Sequence, residues 1–420
     1  MEKTADFTEG RILSRLLRFA LPVLAALFLQ AMYGAVDLMV VGQFGAPTDV
    51  SAVSTGSQIM QTVTSLITGL AMGITILVGQ KIGEKRPEQA GDVIGSGICL
   101  FGVLAAVLTV LMILGAGFLA GLMHAPDEAF SQTVDYIRIC FAGAVFIIAY
   151  NVLGSIFRGI GDSRMPLFTV AAACVFNIGG DLLLVAGFHM GAAGAALATV
   201  AAQAASVLLS LAVIRRRTLP FTIGKKNLRF ERRLVGRILA LGTPIALQDL
   251  LVSISFLVIL AIVNSMGVIA SAGVGVAEKL CAFIMLVASA YMQSMSAFVA
   301  QNMGAGKPER AKRALLYGIG TSLMAGVTLF YFSFFHGDAM AGIFARDPQV
   351  VAAAADYLKA YAIDCILTSF LFCFVGYFNG CGKTFFVMVQ GIVGAFCVRI
   401  PVSWFMSRMA GVTLFKIGLA

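Results

Sequence analysis

Charged residues are scarce in this sequence, and their scarcity excludes the commonest class of protein. Asp, Glu, Lys and Arg make up 12% of 420 positions, whereas hydrophobic residues make up 59% and the mean hydropathy is +0.93. Soluble globular domains carry about 25% charged residues. The composition therefore indicates that a lipid bilayer surrounds most of the chain.

Several motifs that carry chemistry are also missing. The sequence has no nucleotide-binding loop, no GxSxG and no HExxH, so nothing in it points to ATP-driven work or to hydrolysis. Its eight Cys residues form no CxxC pair, and its three His residues stand alone, which argues against a disulfide framework or a zinc site. We therefore expect a protein that is not an enzyme and has no cofactor.

Long apolar runs fill most of the chain. Each exceeds or approaches the roughly 20 residues that cross the hydrocarbon core of a bilayer. A further run only begins, at Val412. The eleven longer runs begin near Leu16, Ser51, Val93, Val134, Met165, Ala192, Leu239, Ala272, Ala314, Val351 and Thr384.

The basic residues lie mostly in alternate loops and in the amino-terminal tail. Of 30 Lys and Arg residues, 23 fall on one predicted side, nine of them in the central loop 215–237. This asymmetry predicts a multi-pass inner-membrane protein with a cytoplasmic amino terminus. It also accounts for the net charge of +9 without nucleic acid as a partner.

An internal repeat divides the chain into two halves. The string GEKRPEQA at Gly83–Ala90 is similar to GAGKPERA at Gly304–Ala311, and other residues match at the same 221-residue offset. Because each half has six spans, an even number, both halves enter the membrane from the same side and the repeats are parallel. Such repeats usually enclose a central site. We predict an all-α membrane protein with two parallel six-helix lobes around a central cleft. The predicted divisions are a first lobe at 1–214, a cytoplasmic linker at 215–237 and a second lobe at 238–420.

The repeat also predicts how many spans to expect. The sixth span of the first half should have a partner beginning near Thr413, where eight residues remain. We therefore expect twelve spans, of which this sequence holds eleven and the start of the twelfth, and we expect the sequence to be truncated.

Two carboxylates in the first half stand out, because a charged side chain inside a span is costly. Asp37 lies on span one and Asp181 on span five, with Asn177 one helical turn before it. Two neighbouring carboxylates in low dielectric do not both ionise readily, so one holds a proton or a cation compensates. Oxygen groups alone, with Thr199 of span six, suit H⁺ or Na⁺ better than a soft metal. The alternative is a structural role in hydrogen bonding between helices.

Other polar residues within the spans are candidates for contact with a transported substrate. Glu278 and Asp364 could instead form neutralising pairs with Lys279 or Arg399. None of the second-half residues repeats Asp37 or Asp181. The candidates for the substrate cleft are Gln30, Tyr33, Gln248, Asp249, Glu278, Asp364 and Arg399.

Four motifs resemble the multidrug and toxic compound extrusion (MATE) family, in its prokaryotic subgroup with an acidic residue on the first helix. They are YGAVDLMVVG, FRGIGDSRMP, NIGGDLLLV and FVAQNMGAGKPERA, in the family's order. The resemblance implies export of amphipathic or cationic compounds through alternating access, in exchange for H⁺ or Na⁺. It maps the family's cation site onto Asp37, Asn177, Asp181 and Thr199. Glu278 resembles an acid of another subgroup, whereas Asp364 lies about one turn from where the partner acid would align.

Other functions remain open from the sequence. A flippase for lipid-linked precursors, from the same superfamily, would be expected to have a more basic cavity. A membrane-embedded enzyme would need a nucleophile and a base near the interface, and a passive channel would conduct without exchange. We expect a monomer whose partners are the lipid bilayer and small amphipathic or cationic substrates.

Overall fold

The computed structural model describes residues 6–216, 221, 224, 226–409 and 413–418. Within this part of the chain every regular element is helical. The basic residues Lys3, Arg217 and Lys225, and the predicted start of a run at Val412, lie outside the described residues. The α-helices are α1 Ile12–Phe44, α2 Pro47–Gly83, α3 Pro87–Leu122, α4 Asp127–Ala142, α5 Ala144–Gly159, α6 Arg164–Asp181, α7 Gly191–Arg216, α8 Arg232–Asn264, α9 Val268–Gly304, α10 Pro308–Phe335, α11 Gly337–Ala341, α12 Pro348–Gly380, α13 Thr384–Ile392, α14 Ile400–Ser407 and α15 Leu414–Gly418.

The helices account for the predicted spans. Among the described residues, ten helical stretches are long and apolar enough to cross a membrane, and the pair α4 and α5 makes an eleventh. That pair is bent by 54° at Gly143. The eleven predicted spans are therefore confirmed, although the sequence analysis did not foresee that the fourth is broken.

The exposed side of α3 illustrates why a bilayer suits this chain. Val103, Val107, Leu111, Leu114 and Phe118 are each about half exposed or more. Their spacing of three to four residues places them along one face of the helix. A continuous apolar stripe of this kind is unfavourable in water and is satisfied by lipid tails.

The sequence repeat is also a structural repeat. Helices α3 and α10 both begin with proline, at Pro87 and Pro308, where the missing N–H removes no intrahelical hydrogen bond. Two turns 221 residues apart contain a glycine in the left-handed region, Gly161 at φ +84° and Gly382 at φ +79°. The conserved offset therefore marks positions with the same local backbone geometry.

Residue contacts group the chain into two compact units. Unit 1 is built on Leu21–Ala246, and unit 2 on Phe7–Ala20 together with Leu247–Ala420. Helices α1 and α8 therefore each begin with one unit and continue with the other. Both carry a proline close to the point of change, Pro22 in α1 and Pro244 in α8.

The core of unit 1 forms around α2. Ile74, Leu77 and Val78 are fully enclosed there and belong to one cluster with Val93 of α3 and Ile156 of α5. These side chains fix α2 at the centre of the unit. The spans that carry polar candidates, α1, α6 and α7, are thereby held on a rigid frame.

The core of unit 2 brings α9 and α12 together. Ala277 and Leu358 are fully buried in one cluster with Ile417 of α15. The carboxylate of Asp356 accepts a hydrogen bond of 2.9 Å from the backbone N–H of Phe415, which caps the start of α15. This short helix begins at Leu414, next to the position that the repeat predicts for the start of a sixth span.

Two π-helical segments interrupt corresponding spans of the two halves. Leu182–Gly187 continues α6, and Val393–Arg399 continues α13. A π turn closes on residue i+5, one residue later than an α turn, and such segments recur at functional sites. The first follows Asp181 directly and the second ends at Arg399, so both adjoin a candidate residue.

Candidate functional site

Three helices of unit 1 each contribute two polar side chains spaced four residues apart. Residues with this spacing share one face of an α-helix. Each helix therefore presents a short polar stripe. The six residues, which we call the acid cluster, are Tyr33 and Asp37 of α1, Asn177 and Asp181 of α6, and Thr199 and Gln203 of α7.

Hydrogen bonds join these stripes. The Thr199 hydroxyl donates to Asp37 Oδ2 over 3.2 Å, and Asn177 Nδ2 donates to Thr199 Oγ1 over 3.4 Å. The carboxyl groups of Asp37 and Asp181 are neighbours within this cluster. The structure thus brings together the four residues that the sequence nominated for a cation site.

Among the residues that the structure describes, most of the oxygens in this cluster find no hydrogen-bond donor. Five buried oxygens are in this state: Asp37 Oδ1, both carboxylate oxygens of Asp181, Asn177 Oδ1 and Gln203 Oε1. Asp181 and Asn177 are 0% and 1% exposed. An ionised carboxylate can only accept hydrogen bonds, so two adjacent carboxylates cannot satisfy one another without a proton.

The cluster also has no positive partner of its own. Among the described residues, no Lys or Arg forms an ion pair with Asp37 or Asp181. Burying uncompensated carboxylates is costly, so the arrangement favours a proton or an oxygen-binding cation. In the same part of the chain no three His, Cys, Asp or Glu side chains are grouped as they would be around a transition metal.

Two residues of the cluster were missed or grouped differently by the sequence analysis. Gln203 was not singled out, although its position one turn after Thr199 in an apolar span was an available signal. It donates a hydrogen bond of 3.2 Å to the Tyr33 hydroxyl, which joins Tyr33 to the cluster. Gln30 is half-buried two turns before Asp37 and makes none of these hydrogen bonds.

The candidate residues of unit 2 form a different environment. Glu278 and Asp364 are half-buried, and Lys279 is exposed. Arg399 donates to Ser255 Oγ over 3.3 Å and places its guanidinium 4.5 Å from the centre of the Phe256 ring. Of the ion pairs found within the described ranges, none joins Arg399 or Lys279 to either acid.

The remaining candidates lie together on α8. Gln248 and Asp249 are both half-buried. The amide of Gln248 packs so closely on α13 that a side chain added at Gly391 would lie 2.8 Å from Gln248 Nε2. Gln248 therefore has a packing role, and Asp249 is the acidic residue of the two.

Comparison with known proteins assigns a family to this arrangement. The family model MatE matches residues 22–183 and 244–405, once in each half. The protein named "Probable multidrug resistance protein YpnP" of Bacillus subtilis is 26% identical over 418 residues, covering 99% of this chain and 93% of that protein. The multidrug export protein MepA of Staphylococcus saprophyticus is 24% identical, covering 98% of this chain and 91% of that protein.

Solved structures show the same fold. A MATE transporter in complex with MaL6 superposes with a TM-score of 0.93 at 20% identity, covering 100% of this chain and 94% of that chain. A transporter of the MOP superfamily from Pyrococcus furiosus gives 0.92 at 21% identity with the same coverage. The match of the family model to both halves shows that this chain is a multi-pass membrane protein of the MatE family, the multidrug and toxic compound extrusion family that its motifs resemble.

Proposed function

We propose that this chain is an antiporter of the inner membrane that exports small amphipathic or cationic compounds in exchange for inward-moving H⁺ or Na⁺. The observation that carries the proposal is the acid cluster. Within the described residues, five of its enclosed oxygens, three of them carboxylate oxygens, have no hydrogen-bond donor, and neither carboxylate has a positive partner. A coupling ion would supply that charge on binding and would remove it on release. The ion would bind at Asp37, Asn177, Asp181 and Thr199.

Further features support the substrate and orientation in this proposal. Two relatives are named as multidrug resistance and multidrug export proteins. The acids Asp249, Glu278 and Asp364 of unit 2 are half-buried and would attract a cationic substrate, whereas Arg399 is the one cation among the cleft candidates. The basic loops favour a cytoplasmic amino terminus. The working unit would be a monomer that exposes its site alternately to the two sides.

The test is export of a cationic dye by purified protein in vesicles under an imposed H⁺ or Na⁺ gradient. We expect the wild type to move dye against its gradient with one of these ions. Asp37→Asn and Asp181→Asn keep the size of each side chain but remove its charge. Each should slow ion-driven export at least about 100-fold, the scale of losing a charged partner from a buried site.

Asp135→Asn is the matched control, since Asp135 is an exposed acid on α4 outside the cluster. It should export dye at the wild-type rate. Undiminished ion-driven export by both cluster variants would overturn the assignment of the ion site. Dye movement without any imposed gradient would instead indicate a channel, and turnover of a compound into a new product would indicate an enzyme.

A flippase for lipid-linked precursors makes a different prediction in the same vesicles. It would scramble or move a labelled anionic lipid and would leave the dye in place. Anionic headgroups call for several cations, and among the candidate residues Arg399 is the single Arg and no Lys is included. The distribution of charge therefore favours export of cations.

A further inference from the structure

A short segment just before α1 packs into unit 2. Residues 7–9, which we call the amino-terminal anchor, precede α1 and belong to the contacts of unit 2 through Phe7–Ala20. The Phe7 side chain is 0% exposed. Its ring lies edge-on to Phe19 of α1 and stacks on Phe298 of α9, with both pairs of ring centres 5.0 Å apart. The ring therefore clamps the start of α1 to α9.

Four polar side chains of unit 2 bind the backbone of the anchor. They lie at the end of α9 and the start of α10, in the second copy of the repeated loop. Together they leave no backbone group of Phe7 unsatisfied. The bonds are Phe7 N–H to Gln301 Oε1 at 3.3 Å, Asn302 Nδ2 and Arg310 Nε to the Phe7 carbonyl at 3.2 and 2.9 Å, Lys307 Nζ to the Thr8 carbonyl at 2.9 Å, and Arg310 Nη2 to the Glu9 carbonyl at 2.8 Å.

Within the described residues, the first copy of the same loop does not hold a segment in this way; the segment 221 residues after the anchor is held instead by α3, where Ser96 donates to the Arg229 carbonyl over 3.2 Å. At the 221-residue offset, Asn302 and Lys307 correspond to Lys81 and Arg86. Lys81 pairs locally with Glu84 at 2.7 Å, and Arg86 lies 3.8 Å from the same carboxylate. Gln301 has an identical counterpart in Gln80, whereas Arg310 corresponds to Gln89. Three of the four side chains that hold the anchor therefore differ between the halves.

The anchored helix also carries two residues of the acid cluster, Tyr33 and Asp37. Residues of α1 up to Ala20 belong to unit 2, and those from Leu21 onward belong to unit 1. Asp37 lies on the same continuous helix, which ends at Phe44. The anchored start of α1 and Asp37 therefore lie on one continuous helix that passes from unit 2 into unit 1.

We propose that the anchor and the side chains that hold it are a positioning device that couples ion occupancy at Asp37 to substrate binding in unit 2. This rests on the proposed function, since it needs an ion at one end and a substrate at the other. Ion binding changes the charge next to α1, and a helix whose start is fastened transmits the resulting shift. A loose start would let α1 respond without affecting unit 2.

Coupling between two ligands is measured by how much one changes the affinity of the other. In purified protein, the Kd of a cationic dye is measured by fluorescence anisotropy with and without the coupling ion. We expect a change of at least about 5-fold in the wild type, the lower end of typical couplings. In Phe7→Ala and in Arg310→Gln the ratio should fall to about 1, while the dye Kd without ion stays within about 3-fold of wild type.

The matched controls are Phe230→Ala and Arg313→Gln. Phe230 is an exposed phenylalanine just before α8, and Arg313 is an exposed arginine one turn after Arg310. Both should keep the wild-type ratio, and a thermal unfolding scan checks that every variant is folded. Should Phe7→Ala fail to fold, Arg310→Gln decides the outcome.

Two failures are distinguishable in this design. Wild-type coupling in folded Phe7→Ala and Arg310→Gln overturns the role of the anchor and leaves the antiporter intact. Absence of any ion effect in the wild type overturns the proposed function, and the role of the anchor with it. A purely structural anchor would lower the unfolding temperature and leave the ratio unchanged, which also contradicts the proposal.

Discussion

The two units share a helical plan but treat their acids differently. In unit 1, Asp37 and Asp181 are sealed from solvent beside other acceptor oxygens. In unit 2, Glu278 and Asp364 remain half-exposed, and the guanidinium of Arg399 rests on a neighbouring aromatic ring. A duplicated scaffold can thus carry an enclosed pair of acids in one unit and partly exposed acids in the other.

The largest effect on this difference between the units is expected when a positively charged side chain is introduced beside the acids of unit 1. Asn177→Lys should place an ammonium beside Asp37 and Asp181 and replace the exchangeable ion. We expect ion-driven dye export to fall at least about 100-fold, because a fixed charge cannot be released in each cycle. Export from vesicles and the ion dependence of dye binding measure the effect.

Asn177→Met is the control for that change, since it has the length of Lys without its charge. It should retain dye binding that responds to the ion, although more weakly than the wild type. If Asn177→Lys keeps a wild-type ion response, the acid cluster does not hold the coupling ion.

A smaller effect on the acids of unit 1 is expected when one hydrogen bond to Asp37 is removed. Thr199→Val preserves shape but removes the donor to Asp37 Oδ2. Leaving a buried acceptor unsatisfied costs about 1–3 kcal/mol, so ion affinity should change by about 10-fold. The ion concentration that gives half of the dye response reports this shift.

Ser206→Ala provides the matched control on α7. The Ser206 hydroxyl donates over 3.0 Å to the carbonyl of Thr169, away from the acids. Its removal should leave the half-response concentration unchanged. An equal shift in both variants would show that any lost hydroxyl on α7 disturbs the site.

The smallest effects are expected where the units are alike. Gly159 lies against the carbonyl of Thr75 and Gly380 against the carbonyl of Ser296, at the same 221-residue offset. An added Cβ would approach these oxygens to 3.0 and 2.7 Å. Gly159→Ala and Gly380→Ala should each destabilise the protein by about 1–3 kcal/mol, with the larger loss at Gly380.

Thermal unfolding of the purified variants measures this loss. Gly102→Ala is the control, because a Cβ at Gly102 would contact nothing within 4 Å. It should unfold with the wild type. If Gly159→Ala and Gly380→Ala are as stable as Gly102→Ala, the repeated helix contact is looser than described.

Much of the fold was accessible from the sequence because the bilayer imposes strong rules. Apolar length predicted all eleven spans, and the repeated strings at Gly83–Ala90 and Gly304–Ala311 marked equivalent loops of the two halves. The bend at Gly143 carried no comparable signal, since one glycine within an apolar run is common in membrane helices. The membership of Phe7–Ala20 in unit 2 depends on tertiary contacts that periodicity cannot reveal.

The candidate site was also predictable in part from the cost of placing polar groups in a bilayer. An acid in an apolar span is conspicuous, so Asp37 and Asp181 could be found and their neighbours guessed from helical spacing. Gln203 was missed because a lone amide in a span is inexpensive enough to be structural. Which oxygens lack donors depends on side-chain rotamers, which sequence patterns do not specify.

Because of the π-helical segments, the 221-residue repeat does not fix the direction of individual side chains. The first begins after the 18 residues of α6, and the second begins after the nine residues of α13. Each extra residue in a turn rotates everything beyond it around the helix axis. Residues 179–181 precede a π-helical segment, whereas residues 400–402, at the 221-residue offset, follow one. The two sets of residues therefore face different directions. Asp181 and Val402 therefore correspond in sequence position, but their side chains do not occupy equivalent places in the two halves. Each of the two positions is free to change without the other.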